Sequence, residues 1–269
     1  MKIATSEISF LAGEKFEVGY LFRCENNPLW VRTDILIRTV KDKAIIHVGC
    51  CDHIPLIEYR LKTRQWLHGL LEENCPHVLG IDINSDAVEY VNGHHFAKND
   101  VYCKNIVGED FLAWDMQMSN FDYVLLGEIL EHVDNPVEFL CKMKSNLEAK
   151  GFQGGYIITV PNALSFARSW RLRWKKTELV NSDHRYWFTP FTICKVMYRA
   201  GLIPREMLFG SDKEGGNGLN LMTEFLYRIK ERIFKKPSKH NSYLGDTIIV
   251  IGESERYRGK VSNETNICL

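Results

Sequence analysis

A block of acidic and imidazole side chains, Gly127-Glu128-Ile129-Leu130-Glu131-His132, directly follows the apolar run Tyr123 to Leu126. A second imidazole, His184, opens the segment His184-Arg185-Tyr186-Trp187-Phe188. Imidazole titrates near neutrality, so a histidine within hydrogen-bond reach of a hydroxyl can take its proton as a bond forms at the oxygen. His184 and His132 are therefore candidate general bases, and Glu128 and Glu131 are placed to orient an imidazole or to touch a substrate. The competing structural reading is that Glu131 sits at a helix start, where it favours the dipole, and that the histidines pack. Asp82 closes the apolar run Val78 to Asp82, where a carboxylate can accept hydrogen bonds from both hydroxyls of a ribose, with Ile83 next to it. Glu109-Asp110-Phe111 offers a carboxylate to an adenine amine beside an aromatic wall, or else only an acidic first helical turn. In His47-Val48-Gly49-Cys50-Cys51-Asp52-His53, Gly49 lets the backbone turn under a ligand without a side chain in the way. His47 and Cys50 either line that ligand or pack.

These groups share one placement: each follows a short apolar run. The runs Ala44 to Val48, Val78 to Asp82, Val101 to Ile106, Tyr123 to Leu126, Tyr156 to Val160, Glu206 to Phe209 and Thr247 to Ile251 read as strands. Amphipathic stretches alternate with them, the pattern of an α/β sheet covered by helices on both faces. Pro136 behind Asp134-Asn135 starts a helix through Val137, Leu140, Met143 and Leu147 to Gly151, and Thr189-Pro190 starts another that ends at Gly201. Ligands on such sheets bind outside the carboxyl ends of the strands, where the candidate residues lie.

The chain has 269 residues, 45% hydrophobic and 25% charged, enough for one substantial core. Lys+Arg 34 against Asp+Glu 34 leaves no net field to draw the protein onto a generic polyanion. Eight cysteines without C-x-x-C spacing point to a reducing cytoplasm, and no apolar run reaches the ~18 residues of a membrane span. The histidines and cysteines lack metal-ligand spacing, so no metal is expected.

The succession IIHVGCCDH, VLGIDIN, VGEDF, FDYVLLGEILEHVDNPVEFL, GGYIITVPNALS and DHRYWFTPFTICKVMYRAGL resembles the class I, Rossmann-like S-adenosylmethionine-dependent methyltransferases, in particular a bacterial branch found with glycan and surface-polysaccharide biosynthesis. It covers about residues 40 to 210. The resemblance implies a seven-stranded sheet in the order 3-2-1-4-5-7-6 with the last strand antiparallel, and S-adenosylmethionine as cofactor, leaving as S-adenosylhomocysteine. It assigns the cofactor to His47, Gly49, Cys50, Asp82, Ile83, Glu109, Asp110, Phe111 and Glu128. The first loop departs from the family pattern: His47 replaces the acidic residue before G-x-G-x-G, and Cys51 and His53 take the later glycine places. The separation from Gly49 to Asp82 also exceeds the ~20 residues of the motif, so a segment around Leu56 to Trp66 is expected to loop out. Similar relatives pair a G-x-x-D-H loop with a Leu-His, here Leu67-His68.

One domain of residues 1–269 is expected, with a core at about 32–253, insertions at about 163–188 and 210–245, and a loose tail at 254–269. In the first insertion Phe166, Trp170 and Trp174 are spaced to share a helical face, flanked by Arg168, Arg171, Arg173, Lys175 and Lys176. Such a cap could meet a phosphate-bearing sugar, since arginine binds phosphate in a bidentate fork. Glu131, Arg168, Arg185, Tyr186 and Trp187 are the substrate candidates. The second insertion carries Gly215-Gly216-Asn217-Gly218, an amphipathic stretch Leu221 to Phe234 and a basic run Lys230 to Lys239, which could meet a membrane surface, a second copy of the chain or solvent. The leading expectation is a cytoplasmic O-methyltransferase, monomer or homodimer, acting on a small-molecule or glycan acceptor. The alternatives are an RNA or protein methyltransferase, or a non-catalytic partner subunit of the same fold.

Overall fold

The computed structural model describes residues 1–27, 31–211 and 244–255. Seven strands, β1 (Ala44–Val48), β2 (His77–Asp82), β3 (Tyr102–Cys103), β4 (Tyr123–Gly127), β5 (Gly155–Pro161), β6 (Leu202–Gly210) and β7 (Thr247–Ser254), form one sheet in the order β3-β2-β1-β4-β5-β7-β6. The pairs among β1 to β5 are parallel, while β7 runs antiparallel to both β5 and β6. This is the Rossmann-like order that the resemblance implies.

Alternation along the strands sends neighbouring side chains to opposite faces. Ile46, Val48, Val124, Leu126, Ile158 and Val160 enter one buried cluster, whereas Ile45, Leu125 and Ile157 enter another. The first face is covered by α1 (Thr5–Ala12), α7 (Pro136–Ala149) and α9 (Pro190–Arg199), through Leu11, Leu140, Met143, Ile193 and Met197. The second is covered by α2 (Arg32–Val40) and α4 (Leu67–Asn74), through Ile35, Leu36 and Leu71. A parallel sheet needs cover on both sides, which is why its strands read as continuous apolar runs.

The helix starts follow from local chemistry. Asn135 accepts a hydrogen bond from the Glu138 amide ahead of Pro136, and α7 ends before Gly151, whose φ of 83° lets the chain reverse. Thr189 and Thr192 form a reciprocal capping box at the start of α9. The remaining helices are α3 (Ile54–Lys62), α5 (Ser85–Gly93), α6 (Glu109–Leu112) and α8 (Phe166–Trp170).

Several expectations need correction. Leu56 to Trp66 does not loop out: most of it is helix α3, and Ile57 is buried there with Trp66. Strand β3 pairs over two residues only, and β6 begins at Leu202, four residues ahead of Glu206, with a register shift at Pro204. The cap is not one helix. After five residues α8 passes into a wider π-type turn at Arg171–Lys175, so the four-residue spacing no longer brings Trp174 onto the face of Phe166 and Trp170. Gly215 to Gly218, Leu221 to Phe234, Lys230 to Lys239 and the tail beyond Glu255 lie outside the described residues. Among the described residues, no helix is long and apolar enough to cross a membrane.

Candidate functional site

The register places Val48 opposite Ile81 on one side and Leu126 on the other, so β1, β2 and β4 stop at nearly the same level. The loops carrying Gly49, Ile83 and Glu128 therefore leave the sheet side by side. Gly49 has φ 69°, and a Cβ there would lie 2.9 Å from Ile129 Cδ1, so the loop after β1 rests against the loop after β4. Among the described residues of the β1 loop only Gly49 has a positive φ; Cys51 and His53 occupy the family's later glycine places in backbone that any residue adopts. The missing glycines therefore cause no strain.

Asp82 is buried at the end of β2. Its Oδ2 accepts the Cys51 amide and its Oδ1 the Asn84 amide, both at 2.9 Å. Each carboxylate oxygen has a second acceptor site, so the pair can still take two hydroxyl donors. Burial raises the carboxyl pKa, and hydrogen bonds from Asn84 and Cys51 oppose that rise. Ile83, beside it, is 70% exposed and offers an apolar surface to a flat base. These groups are of a kind that fits the adenosyl end of S-adenosylmethionine: a buried carboxylate able to accept from a diol, an open apolar wall, and a glycine turn free of Cβ.

The other cofactor candidates lie differently. His47 is buried with its Nδ1 3.2 Å from Nδ1 of His68, the rings stacked. Burial drives both imidazoles toward the neutral form, His68 down to about 4, and in His47 the neighbouring His68 and Arg32 add to it. Cys50 is buried against Trp66 and Ile57. Phe111 is in the main core rather than at the surface, Asp110 accepts the Asn105 amide, and Glu109 is exposed at the start of α6.

Beyond β4 the chain makes an abrupt turn. Glu128 is a non-glycine residue at φ 58°, its amide held by the carbonyl and hydroxyl of Thr159. Such a conformation costs about 1–3 kcal/mol and persists only where the surroundings fix it. The Glu128 carboxylate is fixed by Arg32 at 2.8 Å and the Thr247 hydroxyl at 3.1 Å. Burial pushes its pKa up, but Arg32 and the two hydrogen bonds outweigh that and hold it below the usual range. Leu130–His132 then forms a short 3-10 turn that buries Glu131 completely. Neither Glu131 carboxylate oxygen has a hydrogen-bond partner among the described residues. Burial, followed by the charge of Glu128, pushes Glu131 up to about 8.

The segment Asn181 to Phe188 is laid against this turn by backbone bonds. The Arg185 and Tyr186 amides donate to the Glu131 carbonyl at 2.7 and 3.3 Å. His184 and His132 consequently meet edge to face, with ring centroids 4.7 Å apart. Nδ1 of His184 is buried without a partner among the described residues, and burial followed by His132 lowers its pKa. Nδ1 of His132 lies 3.1 Å from an Asp183 carboxylate oxygen.

The structure thus brings Glu128, Glu131, His132 and His184 to one place, with Arg168 beside them. Arg168 donates to the carbonyls of Asn162 and Asp246 and stacks 4.7 Å over Trp187, so much of its guanidinium is tied to the scaffold. Trp187 donates to Glu178, while Arg185 pairs with Asp134 and Tyr186 donates to the Asp134 carbonyl, which turns those two toward the start of α7. Sequence reasoning missed Arg32, Thr247, Asp183 and the His47–His68 pair. Asp183 adjoins His184 in the sequence, a signal that could mark it; nothing local marks Arg32 or Thr247.

Among solved structures, the chain is similar to an S-adenosylmethionine-dependent methyltransferase from Archaeoglobus fulgidus, at 17% identity over 83% of this chain and 91% of that one, TM-score 0.48. It is also similar to magnesium protoporphyrin IX methyltransferase from Synechocystis PCC 6803, solved with bound S-adenosylhomocysteine, at 12% identity over 82% and 81%, TM-score 0.45. A third likeness is to the complex of the Haloferax volcanii Trm112 methyltransferase activator with its methyltransferase, at 14% identity over 82% and 88%, TM-score 0.49. No curated protein matches the chain. A family profile described as a methyltransferase domain matches residues 36–205, from α2 into β6 and across every strand end discussed above. The chain belongs to this methyltransferase-domain family and is an S-adenosylmethionine-dependent methyltransferase.

Proposed function

We propose that the protein transfers the sulfonium methyl of S-adenosylmethionine to a hydroxyl of a sugar or glycan precursor, with the proton removed at the Glu131, His132 and His184 cluster. The observation that carries this reading is the buried Nδ1 of His184 beside the buried Glu131 carboxylate, both without a partner among the described residues, next to the loop that adjoins the cofactor crevice. A sulfonium methyl is already electrophilic, so what the protein adds is in-line placement and a site for the hydroxyl proton. With its pKa lowered, the His184 imidazole is neutral near pH 7 and has a lone pair to offer. Glu131 would orient the imidazole or hold the hydroxyl.

The acceptor class is read from the rim. Leu164, Phe166, Leu172 and Trp174 are exposed among Arg171, Arg173 and Lys175, and Arg173 stacks on Trp174 at 5.6 Å. Apolar faces interleaved with guanidinium groups suit a sugar carrying a phosphate. Mass spectrometry of the host's surface glycan with and without the gene tests this: loss of one methyl group on a sugar is expected, and an unchanged glycan overturns the assignment. For the chemistry, His184→Ala should retain cofactor and lose turnover; unchanged turnover removes His184 from the proton path.

A further inference from the structure

Spacing along the chain predicts no metal, yet the fold brings the distant His184 to the adjacent pair Glu131 and His132. Glu131, His132 and His184 each present one donor atom, and these atoms all lie within 4.8 Å of one another. Three features distinguish this group from a chance cluster. Glu131 is wholly buried, and among the described residues neither of its oxygens has a partner. Nδ1 of His184 is buried and, among the described residues, likewise without a partner. Nδ1 of His132 faces the Asp183 carboxylate, which fixes the tautomer with Nδ1–H and leaves Nε2 as a free lone pair. A carboxylate accepting the ring N–H at the back of a histidine is the usual support of a metal-bound imidazole, and a buried carboxylate without hydrogen bonds is otherwise a costly thing to retain.

We propose that Glu131, His132 and His184 bind a first-row divalent transition-metal cation. The inference rests on, and deepens, the reading of this cluster as the end of the site that meets the acceptor hydroxyl. Metal–nitrogen and metal–oxygen bonds are about 2.0–2.2 Å, so three donor atoms within 4.8 Å of one another have only to draw slightly inward around a cation. Two imidazoles and one carboxylate, with further positions open, suit manganese, iron, cobalt or zinc better than magnesium, which prefers an all-oxygen octahedron. Glu128, turned toward Arg32 and Thr247, adds negative charge nearby without occupying the group. In the open positions the cation would take the acceptor hydroxyl and lower its pKa. With the His184 lone pair on the cation, the O–H bond breaks to release its proton to solvent instead of to that imidazole, the oxygen forms a bond to the methyl carbon, and the methyl–sulfur bond breaks to give S-adenosylhomocysteine. The other candidate group, Cys50, Cys51 and Asp82, is less suited: the Asp82 oxygens are held by backbone amides, and burial disfavours the Cys50 thiolate.

The test uses the full chain, stripped of metal and shown to bind S-adenosylmethionine, titrated with Co²⁺ by visible absorption and with Mn²⁺ by electron paramagnetic resonance. One equivalent is expected to bind, without thiolate-to-cobalt charge-transfer bands, and an equal concentration of Mg²⁺ should not displace it. Glu131→Gln and His184→Asn should each weaken binding at least about 100-fold, and Asp183→Asn, on an exposed side chain that leaves the fold undisturbed, about 10-fold. Absence of one-equivalent binding, thiolate bands, or unchanged affinity in the Glu131 and His184 variants that still bind cofactor would each overturn the site. If those two variants fail to bind cofactor, the Asp183 variant decides, an unchanged affinity counting against the proposal. Failure of the underlying reading looks different: metal binds as described, but no methyl reaches a hydroxyl acceptor. Methyl transfer that persists unchanged in the presence of a chelator keeps the reading and removes the cation.

Discussion

Replacing Asp82 by alanine removes the carboxylate that we assign to the ribose. The side chain is buried, and its two oxygens already hold the Cys51 and Asn84 amides, so the loop and the acceptor are positioned before any ligand arrives. Two hydroxyl donors to an ionised acceptor contribute about 1.5–3 kcal/mol each. Their joint loss is about 3–6 kcal/mol, and at 1.4 kcal/mol per decade the dissociation constant should rise by about 10² to 10⁴. Alanine also strips two backbone amides of their acceptor, at about 1–3 kcal/mol each where water cannot replace it, so the stability of the variant has to be measured with its affinity. Asp82→Asn keeps one acceptor oxygen and should fall between the wild type and alanine. Isothermal titration with S-adenosylmethionine, alongside circular dichroism and a thermal melt of the free protein, separates the two effects. A folded alanine variant that binds cofactor within threefold of the wild type would show that the crevice is held by other groups and that the strand-end argument is wrong.

Gly49→Ala forces a Cβ into a positive-φ position 2.9 Å from Ile129 Cδ1; about 1–2 kcal/mol of backbone strain plus displacement of Ile129 should weaken cofactor binding measurably by titration. Arg32→Ala leaves the half-buried Glu128 carboxylate with only the Thr247 hydroxyl of the partners described above. A loss of about 2 kcal/mol in a urea melt is expected, and restoring lysine should recover only part of it, since lysine lacks the planar fork. His68 has its pKa depressed from 6.5 to about 4, so the unfolded chain binds a proton that the native state refuses between those values. Its contribution, about 3 kcal/mol, is present above pH 6.5 and is lost as pH falls toward 4; the urea midpoint should drop across that window, and less steeply in His68→Asn. Burial explains the sense of the effect, and the His47–His68 contact agrees with it: one Nδ1 must donate and the other accept, which two protonated rings cannot do.

The strands that carry the site were legible because burial of a parallel sheet on both faces writes itself as local apolar runs. Ala44–Val48 and Tyr123–Gly127 appear in the structure almost as the runs delimit them. Caps are equally local: Asn135-Pro136 and Thr189-Pro190 start helices through bonds within three residues. Strand ends therefore marked Asp82 and Glu128 as candidates before any fold was known. The segment between Gly49 and Asp82 is not legible from the motif's spacing, which says nothing of a helix inserted within it; α3 owes its place to Ile57 packing with Trp66.

Position along the chain thus determined which residues stand at the carboxyl edge, since that depends on periodicity and turn chemistry confined to a few neighbours. Which of them touch was decided only in three dimensions. Glu131 and His184 are joined because the amides of Arg185 and Tyr186 found the Glu131 carbonyl, and Arg32 reaches Glu128 because α2 packs over the second sheet face. Such contacts close loops of tens of residues or more and depend on the summed packing of the whole sheet, so no local pattern records them.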